Sequence, residues 1–322
     1  MTPEERLRQR ARIIRAVRAF FDAQDFVEVD TWVAISAPAP EPHIETARVA
    51  LQVPNGTATR YLQPSPEMQM KRVMANAPRI YQIAPVFRQG DLSPRHTPEF
   101  RLLEWYRRGA PWTQLLDDCE GLLRACARAA GGTPRVDVSR PFSRISMEQA
   151  FREHAGFSIL EALERDILVA RLRERNVHFA NNDSWNDLFH RVFLTHVEPK
   201  LARLTEPFFL YGYPAPLQMY SRLSPDDARM SERFELYVGD MELANGYGEL
   251  VDPKATRQRF IADAEARREA DMQSYPLDER FFDALGKLPD SAGIALGVDR
   301  LLMLMMGVDH IDAIAAVPWS QA

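Results

Sequence analysis

From residue 3 to residue 23, apolar side chains recur every three or four positions, at Leu7, Ala11, Ile14, Val17 and Phe21, with six arginines filling much of the rest. That spacing predicts an amphipathic helix. Residues 26–34 alternate and predict a strand, and the prolines within residues 37–42 force a loop. Ser65, Pro66 and Glu67 set a cap residue, a first-turn proline and an acid ahead of residues 68–76, which predicts a helix start. Residues 79–88 and 99–107 have period two and are joined by a polar link, so they predict an antiparallel pair with a long loop. Helical patterning dominates residues 111–130 and most of residues 146–204. Strand-like runs return at residues 207–213, 233–238 and 241–250. A charged helix follows from residue 253 to about residue 273. Residues 292–298 then read as a strand leading into a short apolar helix over residues 299–306.

Strands joined by hairpins, with helices in separate blocks, predict an α+β fold: an antiparallel β-sheet flanked by helices, not a doubly wound parallel sheet. The whole of residues 1–322 reads as one domain, with a helical insertion at about residues 140–204. Neither a G-x-x-x-x-G-K-[ST] loop nor a G-x-G-x-x-G turn is present, so any nucleotide is held by other means.

Charge narrows the function. Lysine plus arginine number 40 and aspartate plus glutamate 45, a net of −5, which argues against binding nucleic acid by bulk phosphate attraction. Cys119 and Cys126 match neither a metal knuckle nor a Cys-x-x-Cys pair and read as buried thiols in a reducing compartment. No apolar run approaches the roughly 18 residues of a membrane span. No secretory signal is recognisable, and Glu4, Glu5 and Asp22 interrupt the basic start, so a cytoplasmic protein with no membrane partner is expected.

The chemistry-bearing residues cluster in three places. In the first, on a strand Phe100, Leu102, Glu104 and Tyr106 share one face, and Arg88 comes from the neighbouring strand. Together they offer a cation for a phosphate, a ring for a base and acceptors for an ammonium. A half-buried hairpin with snorkelling charges fits the same residues. In the second, Glu242 and Glu249 flank a glycine-interrupted Asn245-Gly246 turn. Paired carboxylates imply a metal or an ammonium if buried, and a solvated turn if not. In the third, Gly293, Ala295 and Gly297 lead into Arg300, leaving room for a flat ligand against the backbone with a cation over it. A simple helix start accounts for these residues equally well.

Taken in order, Phe87-Arg88, His96-Thr97-Pro98-Glu99-Phe100, Leu103-Glu104-Trp105-Tyr106, the run from Met241 to Leu250 and the run from Gly293 to Leu304 resemble class II lysyl-tRNA synthetases. They correspond to motif 2, the second half of the active site and motif 3. The resemblance covers nearly the whole chain, and in particular is to the truncated bacterial paralogues that attach β-lysine to a lysine of elongation factor P. A lysyl-tRNA synthetase carries an extra N-terminal OB-fold for the anticodon, and no stretch here is available for one, so tRNA anticodon binding is not expected.

The resemblance implies ATP and Mg²⁺ as cofactors, a lysine-like amino acid as substrate, elongation factor P as acceptor and a homodimer. It implies catalytic roles for Arg88, Arg300 and Glu242. Arg88 would hold the α-phosphate and the substrate carboxylate, and Phe100 would stack on adenine, with Gln89, Gly90, Thr97 and Leu243 also at the nucleotide. His96 and Arg300 would contact the terminal phosphates. Glu242, helped by Glu249, would anchor Mg²⁺ and ATP. Ser65, Pro66 and Glu67 match the family's substrate-binding triplet. Glu104, Tyr106 and Glu249 would receive the amino groups, Asn245 would support the substrate, and Ala295 replaces a glycine of the tRNA synthetases, as in the elongation-factor branch.

The motif 2 loop departs from the family. Gln89-Gly90 stands for Asn-Glu, with Asp91 the nearest acid to substitute, and Thr97 stands for asparagine. Ser93-Pro94-Arg95 replaces a Gly-Arg-Tyr run, and Trp32 replaces the proline ending motif 1, a dimerisation segment. Two alternatives share these residues: a synthetase paralogue acting as a regulator or amino-acid sensor, and an amide-forming small-molecule synthetase.

Overall fold

In the computed structural model, which describes residues 2–90, 92–131 and 134–322, α1 (Pro3–Asp22) is followed by β1 (Val27–Glu28) and β2 (Ala34–Ile35). Next come the hairpin β3 (Arg48–Val53) and β4 (Gly56–Leu62), then α2 (Glu67–Met74), then the hairpin β5 (Arg79–Phe87) and β6 (Glu99–Arg108). α3 (Thr113–Ala130) and β7 (Ser143–Ser146) precede α4 (Met147–His154), α5 (Arg165–Glu174), α6 (Trp185–Val192) and α7 (Glu198–Leu201). β8 (Phe208–Tyr211), β9 (Arg233–Val238), β10 (Met241–Gly248), α8 (Pro253–Glu269), α9 (Glu279–Leu285), β11 (Ser291–Gly297) and α10 (Val298–Met306) complete the order. These elements fall into two compact units, one of Met1–Pro111, Gly121–Arg135 and Leu250–Ala322, the other of Trp112–Glu120 and Val136–Glu249.

In the first unit the strands run β1, β5, β6, β11. β1 is parallel to β5 and the other pairs are antiparallel. A separate sheet of order β2, β4, β3 lies in the same unit. α1 starts at a capping box, with Thr2 Oγ1 accepting from Glu5 N and the Glu5 carboxylate accepting from Thr2 N. Its buried stripe is Gln9, Ile13, Val17 and Phe21, rotated from the expected one so that Leu7 is 47% exposed. The rotation follows from the sheet. Phe21 stacks on Tyr81 at 4.5 Å and lies 5.3 Å from Trp105, while Gln9 Nε2 donates to Ala130 O.

The strand expected over residues 26–34 is split, because the chain changes partners there. β1 joins β5, β2 joins β4 in the other sheet, and Trp32 between them is bonded in both backbone directions to the Gln69 amide. The β3–β4 hairpin and α9 were not expected from the patterning. β3 has almost no buried side chain to create a period, and the Asn55-Gly56 dipeptide, with Gly56 at φ +123°, was the one available signal.

In the second unit the order is β10, β9, β8, β7, with β7 parallel to β8 and the other pairs antiparallel. The insertion forms a packed aromatic layer, as a helical block should. Phe189 stacks on Phe151 at 5.1 Å, on Trp185 at 5.5 Å and on Phe193 at 5.9 Å, and the buried Trp185 indole donates to Ala162 O.

Candidate active site

The ladders of β5, β6 and β11 put Glu104 opposite Gln82 on one side and Ala295 on the other, and Tyr106 opposite Ile80 and Gly293. Directly opposed residues share a face. Phe100, Leu102, Glu104 and Tyr106 therefore line one surface as expected, over the small side chains of β11. Glu104 is buried, and both its oxygens are met by hydroxyls: Ser65 Oγ donates to Oε1 at 2.6 Å and Tyr106 donates to Oε2 at 3.0 Å. Burial pushes its carboxyl up to about 8. The Glu67 charge adds to the shift, while the two hydroxyls and Lys71 oppose it. Ser65 also accepts from Glu67 N at 3.0 Å, so one hydroxyl starts α2 and holds Glu104. Pro66, at the cap position of α2, is buried. Glu67 in turn is 2.5 Å from the Nζ of the buried Lys71.

Arg88 follows β5. Its backbone N donates to Pro98 O and its guanidinium donates to Pro64 O while lying 5.4 Å from the Phe100 ring centroid. Gln89 and Gly90 are exposed, and Gly90 takes φ +87°, which suits glycine. Asp91 lies outside the described residues. The loop then closes on itself through reciprocal backbone bonds of Ser93 and His96. His96 Nδ1 is 2.7 Å from Ser93 Oγ and its Nε2 meets the Arg300 guanidinium. Arginine can only donate, so Nε2 accepts and Nδ1 carries the proton. A Cβ on Gly297 would lie 3.6 Å from Arg300 Cδ, so the arginine stem covers that glycine. Thr97 is buried, and its hydroxyl donates to Glu99 O at 2.6 Å.

In the second unit, Asn245-Gly246 is not a turn. β10 runs through it, paired with β9 as Asn245 with Glu235 and Gly246 with Phe234. A bulge between Glu242 and Ala244 sets Glu242 opposite Tyr237. Residues seven apart fall on opposite faces of a regular strand, but the extra residue turns Glu242, Asn245, Tyr247 and Glu249 to one face. Leu243 is the bulged residue and its side chain is buried, so only its backbone is free for a ligand. Ladder spacing separates Glu242 from Glu249 by roughly 20 Å along the chain. Glu249 is buried, and its backbone pairs with Ser221.

The centre of that face is Glu235, which sequence reasoning missed. It accepts from Arg233 at 2.7 Å, Tyr237 Oη at 2.6 Å and Asn245 Nδ2 at 3.1 Å. An acid in the middle of the apolar run Phe234–Tyr237 was the signal. Burial, then the charges of Glu235, Glu242 and Glu198, push the Tyr237 hydroxyl up and keep it a donor. Burial, Asp240 and Glu235 likewise raise Glu198. The Asn245 carbonyl oxygen is buried with no hydrogen-bond donor among the described residues, which leaves it open to a ligand N–H. Among the described residues no three acidic, histidine or cysteine side chains could ligate one metal. Glu242 is half-buried in this acidic field.

Comparison with known proteins gives a consistent picture. The sequence model of the tRNA synthetases class II (D, K and N) matches residues 2–321. A Vibrio cholerae protein named elongation factor P–(R)-β-lysine ligase is 34% identical over 98% of this chain and 96% of its own length. Proteins of the same name from Vibrio parahaemolyticus and Haemophilus influenzae (strain PittGG) are 35% and 34% identical, covering 98% and 95% of this chain and 96% and 92% of theirs.

Proposed function

The chain belongs to the class II tRNA synthetases of the D, K and N group, and from that premise we propose that it is an ATP-dependent ligase that activates (R)-β-lysine or lysine and transfers it to a lysine of elongation factor P. The observation that carries the reading is Glu104, an acid buried beside a second acid and held by two hydroxyls. A carboxyl so placed is poised to ionise when an ammonium group arrives.

In this reading the substrate carboxylate attacks the α-phosphorus of ATP, pyrophosphate leaves, and an aminoacyl-adenylate forms. The acceptor amine then attacks the carbonyl carbon, loses its proton, and AMP departs as the amide forms. Arg88 orients the carboxylate and α-phosphate. Arg300, positioned by His96, takes the charge that spreads onto pyrophosphate. Phe100 offers a face to adenine, with Gln89 and Gly90 at its edge. Glu242, helped by Glu249, would hold Mg²⁺, which would supply positive charge to the phosphates. Glu67, Glu104, Tyr106 and Glu249 receive amino groups, Asn245 accepts from the substrate through its open carbonyl oxygen, and Ser65, Pro66 and Ala295 shape the contact. Among the described residues no helix is long and apolar enough to cross a membrane. Cytoplasmic location and a homodimer complete the proposal.

Purified protein should exchange labelled pyrophosphate into ATP when given (R)-β-lysine or lysine, and Glu242→Ala should abolish the exchange. Added elongation factor P should gain one lysyl unit by mass spectrometry. Absence of exchange with either amino acid would remove the enzyme reading, and an unmodified factor would remove the acceptor.

A further inference from the structure

If the pocket takes a lysine-like substrate, as proposed above, its charge has to be set before the substrate arrives, and one residue outside every recognised motif is placed to set it. Lys71 lies one turn after Glu67 on α2, with its side chain 3% exposed and its Nζ 2.5 Å from Glu67 Oε1. A lysine is rarely buried this far unless its charge is compensated. Ser65 couples the two acids, accepting from Glu67 N and donating to Glu104 Oε1. Glu67 therefore has a cation beside it, whereas Glu104 is met by the Ser65 and Tyr106 hydroxyls. The residues opposite Glu104 on β5 and β11, Gln82 and Ala295, do not titrate. Across these elements the groups that act on it are Ser65, Glu67, Tyr106 and Lys71.

We propose that Lys71 is a charge-setting positioning residue of the amino-acid pocket: it cancels Glu67, so that Glu104 is the carboxylate of this set that ionises in response to a substrate ammonium. Lys71 itself does not touch the substrate. The arrangement favours a cationic side chain over a neutral one of equal length, because only the cation draws the proton off Glu104.

Glutamate labelled with ¹³C at Cδ, with the Glu104 signal assigned through Glu104→Gln, reads the titration of this carboxyl in the free protein. The midpoint is expected near about 8. Lys71→Met should raise it by about one pH unit, since the Glu67 charge is no longer cancelled and the direct pull of Lys71 on Glu104 is lost, and lysine affinity at pH 7 should fall about tenfold in step. Glu67→Gln should move the midpoint the other way. Lys71→Arg should leave it in place, and the double variant Glu67→Gln/Lys71→Met, which removes the pair together and so avoids a lone buried charge, should return it close to its starting value. Opposite signs from the two single variants are what a merely structural lysine would not produce. An unmoved midpoint in Lys71→Met overturns the proposal. If that variant does not fold, an unmoved or raised midpoint in Glu67→Gln overturns it. Failure of the ligase reading would look different: no lysine-dependent pyrophosphate exchange, with the free-protein midpoints still shifting in opposite directions.

Discussion

Replacing Glu104 with glutamine should stabilise the free protein and disable it. The folded-state carboxyl is raised from an ordinary 4.5 to about 8, chiefly by burial. A group raised in this way contributes stability that is fully present below its unfolded value and is lost as pH rises through its folded value. The full shift is worth roughly 5 kcal/mol, and roughly 3 kcal/mol of it is gone by pH 7. Glutamine keeps the shape and can still accept from Ser65, while the Tyr106 hydroxyl can turn to accept from the new amide. It carries no charge to desolvate. Urea unfolding at pH 5 and pH 8.5 should therefore show the Glu104→Gln variant gaining on the unaltered protein by roughly 4 kcal/mol between the two conditions. The same variant should lose lysine-dependent pyrophosphate exchange. A stability difference that stays constant within about 1 kcal/mol over that range would refute the claim that Glu104 is held as a neutral acid in the free protein.

Further consequences follow from close contacts elsewhere. In Gly248→Ala the new Cβ would run into Glu232 Oε2 and lie 2.9 Å from Glu232 Cβ, displacing the carboxylate that accepts from Arg222 Nε. A loss of about 1–3 kcal/mol is expected by urea unfolding, and an unchanged midpoint would show that Glu232 moves freely. Arg267 is fully buried and donates to the backbone oxygens of Glu41, Ile44 and Gln273 at 2.6, 2.6 and 2.8 Å, with the Tyr275 ring beneath it. Arg267→Ala takes a donor from each of those carbonyls, leaving Glu41 O only the 3.3 Å bond from Ile44 N, and should cost at least about 3 kcal/mol, lowering Tm by several degrees. Arg300→Ala should reduce pyrophosphate exchange by about 100-fold or more while lysine binding, measured calorimetrically, stays within about threefold. Equal losses in both would place Arg300 in the amino-acid pocket.

Where a side chain's role follows from its own strand or helix, the sequence was enough. The alternation Phe100, Leu102, Glu104, Tyr106 survives intact, and the Ser65-Pro66-Glu67 helix start is present, because both signals are local. The rest depended on partners. The Leu7 stripe of α1 lost to Gln9, Ile13, Val17 and Phe21 because Phe21 docks on Tyr81 and Trp105, which no window of residues 3–23 contains. Nothing in residues 68–76 marks Lys71 as buried, and its burial is a property of what α2 packs on. Thr97 has the hydroxyl expected of a polar loop residue, yet Glu99 O takes it.

Glu242 and Glu249 show the same dependence most sharply. In a strand taken by itself their spacing of seven puts them on opposite faces, and the Asn245-Gly246 dipeptide argues for a turn, so a local reading either separates the acids or folds them together around one ion. Pairing with β9 excludes the turn and the opposite faces alike. The ladder carries β10 straight through Asn245 and Gly246, and the bulge between Glu242 and Ala244 restores a common face. A bulge is a count of two residues against one on the neighbouring strand, so it cannot be read from β10 alone. The same register sets Glu235 opposite Asn245, and Asn245 spends its amide on Glu235 while its carbonyl oxygen has no donor among the described residues. On this face the orientation of the asparagine is decided by the neighbouring strand, and so is the polarity of what it can bind.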